Sequence, residues 1–486
     1  MSKLTVAEAI SDHMILQRGY ATRIWGKVSK AGVKVTAALG KYTASAVSDI
    51  EKRFEITMPE MAASCEPQTL VISCDGDEKR FHDVLIGEVY LVTGQSNAEM
   101  TFLAEEQTAA YYKALLDETP RFPLIRAMIQ HRAENQPALF NRHSKDTLTL
   151  KSNRWRVLDT PEKTKGASIL GYLFCRDLFE KLGGNVPVGF VMAASGASPL
   201  YEIEPVELAH AYDFRTDRNE LVAVGGMYNT MVAPVQNMSL SGIVFYQGES
   251  EMDHDRRHLY GYMVQSYVAE LRRRFRAFLP FYFVQLSSHP PFERSCWHDI
   301  EEIREAQYDT VKLVPEAYPV VSRDAGWREG DANMYHPYRK DVLAARMSDL
   351  AMAVQFGARS LEDVSSPLPV EAKFDNRRAV IRFEYVSGGL RLFGGAKKCI
   401  GFELMDENGV YHPANAKIVS PDTVEVTGVS HPTAVRYGHA FIADMTAYPL
   451  ENGAGLPCPC FAMQKDSFAL NLAARAAMPG MKNRVN

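Results

Sequence analysis

Between residues 83 and 358 the chain alternates short apolar segments with amphipathic helical patterns, and this alternation constrains the fold more than any other feature. Five apolar segments are predicted to be strands: Val89–Thr93, Pro187–Ala193, Gly242–Tyr246, Phe281–Leu286 and Tyr318–Ser322. Helical patterns lie near residues 103–116, 167–182, 258–276, 299–312 and 338–354. Strands and helices that alternate at this spacing form parallel sheets with right-handed crossovers. The sequence therefore predicts an α/β domain with a parallel five-stranded sheet flanked by helices.

The two ends of the chain have a different pattern, in which short runs of β-forming residues are separated by turn residues. This pattern is typical of small sandwich-like β structures. We predict an N-terminal β region at 1–82, the α/β domain at 83–358, a C-terminal β region at 359–463 and a tail at 464–486. Residues 120–165 show no clear periodicity and are rich in Pro, Asn, Arg and Lys, so we expect an irregular functional rim or lid there.

Composition narrows the class of protein. The 486 residues are 46% apolar and 23% charged, with a formal net charge of −5, so there is no electrostatic footprint for nucleic acid or an anionic membrane. No apolar run approaches the ~20 residues of a membrane span, and the N-terminus lacks the apolar core of a secretory signal. The seven cysteines are scattered and odd in number, which favours reduced thiols in a cytoplasmic protein. No pattern in the sequence specifies an oligomeric state.

Small and polar residues follow the predicted strands, at the sheet edge where open α/β folds bind their ligands. The first such segment is Gly94-Gln95-Ser96-Asn97, and Ser96 is the candidate nucleophile. A serine hydroxyl is nearly inert at neutral pH, so it needs a base and donors for the developing oxyanion. Ala98 stands where a Gly-x-Ser-x-Gly elbow would have its second glycine. The alternative is that Ser96 simply caps the following helix.

The remaining candidates follow later strands. His336 precedes Pro337 at the entry to the last helical pattern and is the candidate base, although an exposed or structurally paired imidazole is the alternative. Gly196 and Gln247 are candidate oxyanion donors, through a closely approaching backbone N–H and a side-chain amide respectively. Glu249 is expected to orient neighbouring loops or bind a sugar hydroxyl; the alternative is a solvent-facing carboxylate.

Several segments resemble, in order, the motifs of the sialate O-acetylesterase family of the SGNH hydrolases. They are Gly87-Glu-Val-Tyr-Leu-Val-Thr-Gly-Gln-Ser-Asn97, Tyr228-Asn229, Ala233-Pro234, Gly242-Ile-Val-Phe-Tyr-Gln-Gly-Glu-Ser250, Arg304-Glu-Ala-Gln307 and His336-Pro337. Further likeness in both β regions extends the resemblance over nearly the whole chain. It implies an SGNH-type fold for the α/β domain.

By this resemblance Ser96 is the nucleophile, Gly196 and Gln247 lie at the oxyanion positions, and His336 is the base. The implied activity is that of a serine carbohydrate esterase, which removes O-acetyl groups from sialic acid or acetylated oligosaccharides through an acetyl-enzyme, without metal or cofactor. No acid lies two or three residues before His336, in departure from the family pattern. This departure motivates the alternative of a carbohydrate-binding protein with a vestigial hydrolase centre.

Three groups are therefore candidates for the third member of the triad, the acceptor for His336. Asp331 is the first choice, because it lies five residues before His336 on a loop that contains Gly330. A backbone carbonyl near Asn333 comes second, and Asp324 at the end of the last strand comes third. Any of them would accept a hydrogen bond from the second imidazole nitrogen and so fix the tautomer.

Overall fold

The computed structural model describes residues 2–103, 106–130, 154–211, 224–251, 257–288, 300–326 and 336–465. Asp331, Asn333 and residues 466–486 of the predicted tail lie outside the described residues. The chain forms two compact units. The first contains Met1–Phe245 and Ser266–Leu279, and the second contains Tyr246–Gln265 and Pro280–Asn486.

Twelve strands and six short or medium helices make up most of the first unit as described. The strands are β1 Leu4–Val6, β2 Ile15–Gln17, β3 Arg23–Val28, β4 Lys34–Leu39, β5 Tyr42–Val47, β6 Arg53–Thr57, β7 Ser64–Cys74, β8 Asp77–Gly94, β9 Ile125–Ile129, β10 Trp155–Val157, β11 Val188–Ala194 and β12 Gly242–Tyr246. The helices are α1 Ser96–Glu99, α2 Glu106–Asp117, α3 Pro161–Thr164, α4 Ile169–Lys181, α5 Leu200–Ile203 and α6 Val206–Ala211. Helix α7 follows at Tyr260–Phe275.

Strand β8 connects the N-terminal β structure with the central sheet. Its first half pairs with β7 in antiparallel fashion, and residues 85–87 pair in parallel with β2. From Val84 to Gly94 every residue is buried, as expected for a strand covered on both faces. The same strand pairs in parallel with β11, with Gly94 opposite Ala194. The chain therefore runs without a break through the position where the sequence pattern changes, between residues 82 and 83.

The central sheet of this unit has the order β10-β9-β11-β8-β12. Strand β9 pairs in parallel with β11, but β10 pairs with β9 in antiparallel fashion. The sheet is thus mixed, and the prediction of a purely parallel five-stranded sheet is not confirmed. Strands β9 and β10 also correct the prediction that residues 120–165 are irregular.

Strand β9 was missed because Arg126 interrupts an otherwise apolar segment. All five residues of β9 are buried, including this arginine. Its Nη2 donates to Oδ1 of Asp83 at 2.8 Å, which pairs the buried charge. A contact across 43 residues cannot be read from local periodicity.

Two polar side chains, Arg23 and Gln17, attach the N-terminal β structure to the rest of the first unit. The buried guanidinium of Arg23 donates to the carbonyl oxygens of Asn237, Met238 and Phe275 at 2.8–3.0 Å. The fully buried carboxylate of Glu88 accepts from Gln17 Nε2 at 2.8 Å. These contacts satisfy groups that would be costly to bury without partners.

The second unit contains twelve strands, three helices and the first part of α7 among its described residues. The strands are β13 Phe281–Gln285, β14 Ala317–Val321, β15 Leu368–Phe374, β16 Arg378–Glu384, β17 Leu390–Leu392, β18 Phe402–Met405, β19 Tyr411–Pro413, β20 Asn415–Ser420, β21 Thr423–Thr427, β22 Ala434–Tyr437, β23 Leu450–Asn452 and β24 Phe461–Gln464. The helices are α8 Ile300–Leu313, α9 Lys340–Val354 and α10 Leu361–Val364. Strands β13 and β14 pair in parallel.

The C-terminal strands form two four-stranded antiparallel sheets, of order β15-β16-β21-β20 and β19-β18-β22-β24. Alternation along β16 and β21 buries one face of each strand. Buried residues of both sheets belong to one hydrophobic cluster, which includes Ile381, Val424, Leu404, Val435 and, from α8, Tyr308. The cluster therefore joins the C-terminal β structure to a helix of the α/β part.

Two fully buried arginines strengthen this attachment. Arg304 on α8 donates to Leu286 O at 3.0 Å and to Phe441 O at 3.1 Å. Arg323, which follows β14, donates to Ala443 O at 2.9 Å and Cys458 O at 2.6 Å. The guanidinium fork is suited to binding several carbonyls at once, so each arginine holds distant chain segments together.

The helices and strands predicted from periodicity are present in the described residues. Their ends differ by a few positions, except that β8 begins at Asp77 instead of Val89. Helices α2, α4, α7, α8 and α9 correspond to the five predicted helical patterns. None of the six cysteines in the described ranges is in a disulfide. Over those same ranges, no helix combines the length and apolarity that crossing a membrane would demand.

Candidate active site

Ser96 is the first residue of α1, and only Gln95 separates it from the end of β8 at Gly94. Gly94 has a φ of 134°, a conformation that side-chain-bearing residues rarely adopt, and Gln95 is extended. The helix-capping position is occupied by Gln95, without a side-chain capping bond. The alternative interpretation of Ser96 as a capping serine is therefore wrong. The sharp turn leaves Ser96 partly exposed at the carboxyl end of a buried strand.

Helix α4 supports the turn that carries Ser96. The Ser168 hydroxyl donates to the carbonyl oxygen of Ala98 at 2.6 Å, and Ile169 N donates to Met100 O at 2.8 Å. Ala98 itself is fully buried. Both bonds tie the C-terminal end of α1 to the start of α4, so the turn that carries Ser96 is anchored on that side.

Gly196 lies beside Ser96, because β8 and β11 end at the same level of the sheet. Ser195 N donates to Gly94 O at 3.3 Å, which joins the two loops that leave these strands. A Cβ atom placed on Gly196 would lie 3.7 Å from the Ser96 Cβ and 3.4 Å from Glu99 Oε2. Gly196 and Ser96 are therefore neighbours at this sheet edge, and the role of Gly196 as an oxyanion donor stays a prediction.

The Gly196 N–H donates to Glu99 Oε2 at 2.6 Å. Residue Ala197 follows with a φ of 55°, in the left-handed region that is unusual for a residue other than glycine. Such backbone strain concentrates at functional sites. Sequence reasoning gave Glu99 no role, since its partner is 97 residues away.

Gln247, Glu249 and His336 belong to the second unit, and Gln247 is fully buried at the end of β12. Its Nε2 donates to Glu251 Oε1 at 2.9 Å, and its Oε1 accepts from the Tyr260 hydroxyl at 2.9 Å. Its carbonyl accepts from Gln307 Nε2 at 3.0 Å. These contacts fix which end of the Gln247 amide is the donor.

Gly248 follows with a φ of 142°, and a Cβ there would lie 2.9 Å from Gln307 Nε2. The position therefore requires glycine both for its conformation and for the close approach of Gln307. The conformation of Gly248 and the close approach of Gln307 therefore fix the backbone of the Gln247-Gly248-Glu249 turn.

Glu249 is 4% exposed in a short helical turn at Glu249–Glu251, so the interpretation as a solvent-facing carboxylate is wrong. Glu251 is 2% exposed in the same turn. A buried carboxylate needs a compensating charge or hydrogen bonds. Part of that compensation comes from a lysine that the sequence analysis did not single out.

This lysine is Lys340, the first residue of α9, whose side chain is fully buried. Its Nζ donates to the carbonyl oxygen of Pro337 at 2.7 Å and lies 5.0 Å from the centre of the Tyr246 ring. Burial lowers the pKa of Lys340 to about 7, and the negative charge of Glu249 acts in the opposite direction. His336, directly before Pro337, is partly exposed.

Of the three candidates for the third triad member, only Asp324 lies among the described residues. Asp331 and the carbonyl near Asn333 lie outside the described residues. Asp324 accepts from Arg346 through both carboxylate oxygens, at 2.8 and 2.6 Å. Burial raises the pKa of Asp324, but the hydrogen bonds and charge of Arg346 outweigh this effect and hold the pKa below its usual range.

Two histidines of the C-terminal β structure have partners of their own. His412 contacts Asp406 at 2.9 Å, and His439 contacts Glu305 at 2.9 Å. Both pairs are satisfied by neighbouring carboxylates.

Comparison with known proteins identifies the family. The family model for carbohydrate esterases described as sialic acid-specific acetylesterases matches residues 86–336. That range contains Ser96, Gly196, Gln247 and Glu249, and it ends at His336. The chain belongs to this family. The resemblance recognised from the sequence motifs is thereby confirmed, and this carbohydrate esterase is a carboxylic ester hydrolase, as predicted.

Individual relatives agree with the assignment. Sialate O-acetylesterase of Mus musculus is 26% identical over 442 residues, which cover 78% of each chain. The Homo sapiens enzyme of the same name is 26% identical over 339 residues, covering 63% of this chain and 60% of the human protein.

Among solved structures, a carbohydrate acetylesterase from Xanthomonas citri superimposes with a TM-score of 0.77 at 26% identity. The match covers 95% of this chain and all of the other. The fold of this carbohydrate esterase is therefore an α/β esterase fold with β structure at both ends.

Proposed function

We propose that this carbohydrate esterase removes O-acetyl groups from sialic acid or from acetylated oligosaccharides through an acetyl-enzyme formed on Ser96. The observation that carries the proposal is the neighbourhood of Ser96 and Gly196 at the carboxyl ends of β8 and β11. The acetyl substrates are those in the names of the mouse and Xanthomonas citri proteins. Family membership as an esterase argues against the alternative of a carbohydrate-binding protein with a vestigial centre.

In the proposed mechanism His336 accepts the proton of the Ser96 hydroxyl while the oxygen attacks the acetyl carbonyl carbon. The carbonyl oxygen becomes an oxyanion, which accepts from the Gly196 N–H and from Gln247 Nε2. Collapse of the tetrahedral intermediate breaks the bond to the sugar oxygen, and this oxygen takes the proton from His336. Water then attacks the acetyl-enzyme by the same sequence of proton transfers and releases acetate.

Asp331 completes the proposed site as the acceptor for the second imidazole nitrogen of His336, with the carbonyl near Asn333 and Asp324 as the alternatives. A negative partner steadies the imidazolium that forms in each half-reaction. The reaction needs no metal or cofactor in this scheme. A cytoplasmic location remains part of the proposal, and it favours small substrates over intact polymers.

The decisive experiment compares acetate release by wild type and by Ser96→Ala. Substrates are O-acetylated sialic acid and acetylated xylo- and manno-oligosaccharides, and Ser45→Ala on the exposed face of β5 serves as the matched control. We expect loss of activity in Ser96→Ala and unchanged activity in the control. Rapid quenching of wild type should show one acetyl group added to the protein mass, absent in Ser96→Ala. Activity that persists in Ser96→Ala contradicts the serine mechanism.

A further inference from the structure

Lys340 places an ionisable amine in a position where a charge is costly. Its side chain is fully buried, and it stands at the first position of α9, where the helix dipole disfavours a positive charge. Taking an ammonium group out of water costs several kcal/mol by general estimates, and well-packed apolar residues are often more stabilising in such positions. Stability alone therefore gives a poor account of a lysine here.

The contacts of Lys340 connect two chain segments that carry proposed site residues. Its Nζ donates at 2.7 Å to the carbonyl oxygen of Pro337, the residue directly after His336. The same nitrogen lies 5.0 Å from the ring centre of Tyr246, the residue directly before Gln247. The charge of Glu249 also acts on it. One amine thus contacts the histidine loop and the end of β12.

We infer that Lys340 is a positioning residue, whose buried amine holds the Pro337 carbonyl and so orients His336 relative to the Gln247–Glu249 turn. The inference rests on the proposed function, because it assumes that His336 is the base. Fixing the peptide that follows the histidine restricts the imidazole to a narrow range of positions. A misplacement of about 1 Å in a reacting group can cost on the order of 100-fold in rate.

A positive charge near an imidazole also disfavours the imidazolium form. The groups that act on Lys340 in this arrangement are Glu249 and Tyr246 from the end of β12, and the Pro337 carbonyl on the loop that carries His336. Removal of the lysine charge should therefore raise the pKa of His336. A residue that only fills space in the core would leave this pKa unchanged.

The test uses Lys340→Met, which keeps an unbranched side chain without the amine, and Lys340→Gln, which keeps a donor without the charge. Lys397→Met, at an exposed lysine of the same unit, is the matched control. Steady-state kinetics are measured from pH 5 to 9 with p-nitrophenyl acetate and an acetylated sugar, alongside thermal unfolding. Ser96→Ala is assayed in parallel.

We expect Lys340→Met to lower kcat by about 10- to 100-fold with KM changed by less than about threefold. The acidic limb of its kcat/KM profile should move to higher pH by about half a unit or more. Lys340→Gln should show the same shift of the limb with a smaller loss in kcat. Lys397→Met should match wild type in kcat, in KM and in the position of the acidic limb.

A Lys340→Met enzyme with kcat and acidic limb equal to wild type overturns the inference. If Lys340→Met does not fold, Lys340→Gln decides alone, and an unshifted limb with unchanged kcat overturns it. Different results contradict the proposed function and the proposed role of Lys340. Persistent activity in Ser96→Ala contradicts the proposed function, whereas an inactive Ser96→Ala with a normal Lys340→Met contradicts only the role of Lys340.

Discussion

The backbone N–H of Gly196 donates to Oε2 of Glu99 at 2.6 Å, beside the hydroxyl-bearing residue Ser96. In the proposed mechanism this same N–H must serve the oxyanion of the reacting acetyl group. A carboxylate is a strong acceptor, and its negative charge opposes a second negative charge nearby. Glu99 and the oxyanion thus compete for one donor.

Glu99→Gln should therefore raise kcat/KM for acetyl esters about threefold to tenfold. A neutral amide oxygen accepts a hydrogen bond that is weaker by about 1 kcal/mol than the bond that a carboxylate accepts. The Gly196 N–H is therefore more readily available to the oxyanion. Hydrolysis of p-nitrophenyl acetate measures the change. Glu162→Gln, at a side chain that is 79% exposed, is the control. A lower kcat/KM in Glu99→Gln would contradict the competition and assign Glu99 a supporting part in the reaction.

Asp331→Asn should lower kcat by roughly 10⁴-fold if this carboxylate orients His336, because an amide there can enforce the wrong tautomer of the imidazole. Pre-steady-state and steady-state kinetics on the same acetyl ester measure the loss. If Asp331→Asn and Asp324→Asn both retain activity within a few-fold while His336→Ala is inactive, a backbone carbonyl is the partner. The site would then be a dyad.

Asp324→Asn should mainly lower stability, because Asp324 binds both donor nitrogens of Arg346. The folded pKa of Asp324 lies below its unfolded value of about 3.9, so its stabilising contribution is fully present above pH 4 and is lost as the pH falls through the folded pKa. We expect a loss of about 1–3 kcal/mol at pH 7 that shrinks below pH 4. Urea unfolding at several pH values measures it, with Asp75→Asn as the exposed control. A difference from wild type that does not vary with pH would contradict this account.

Arg304→Met should destabilise the second unit without touching a proposed catalytic group. The guanidinium donates to carbonyl oxygens of Leu286, Ser287, Ala440 and Phe441. Methionine would leave these buried acceptors without this donor, at a cost of at least about 3 kcal/mol in the free energy of unfolding. Urea denaturation measures the loss, and Arg377→Met at an exposed position is the control. A loss no larger than that of the control would show that the carbonyls find other partners.

Local patterns in the sequence were sufficient for most of the regular structure. Strand β12 was predicted with its observed ends, Gly242–Tyr246, and β11 within one residue at each end. Both are continuous apolar runs bounded by turn residues, which is what burial on both faces of a sheet demands. The turn at Ser96 was also predicted from the sequence, because a glycine and small polar residues follow the apolar run of β8.

Strand β9 and the buried position of Glu249 were not predictable in this way. In both cases a group remote in sequence acts on the charged residue: Arg126 donates to Asp83, and the charge of Lys340 acts on Glu249. A local pattern treats such residues as exposed, because an unpaired charge would be too costly to bury. The contacts and nearby charges that offset part of this cost appear only after the chain has folded.

The sequence alone determined most of the strands and helices, with β9 and β10 as exceptions. It also determined the family and the candidate site residues, since these follow from residue type and spacing along the chain; they are Ser96, Gly196, Gln247, Glu249 and His336. Only the tertiary structure decided that Gly196 lies beside Ser96 and donates to Glu99, and that Lys340 supports the loop of His336. The physical reason is that hydrogen bonds and buried charges act over a few ångströms in space. Gly196 and Glu99 are 97 residues apart in the sequence. The groups that contact Lys340 come from two separate chain segments.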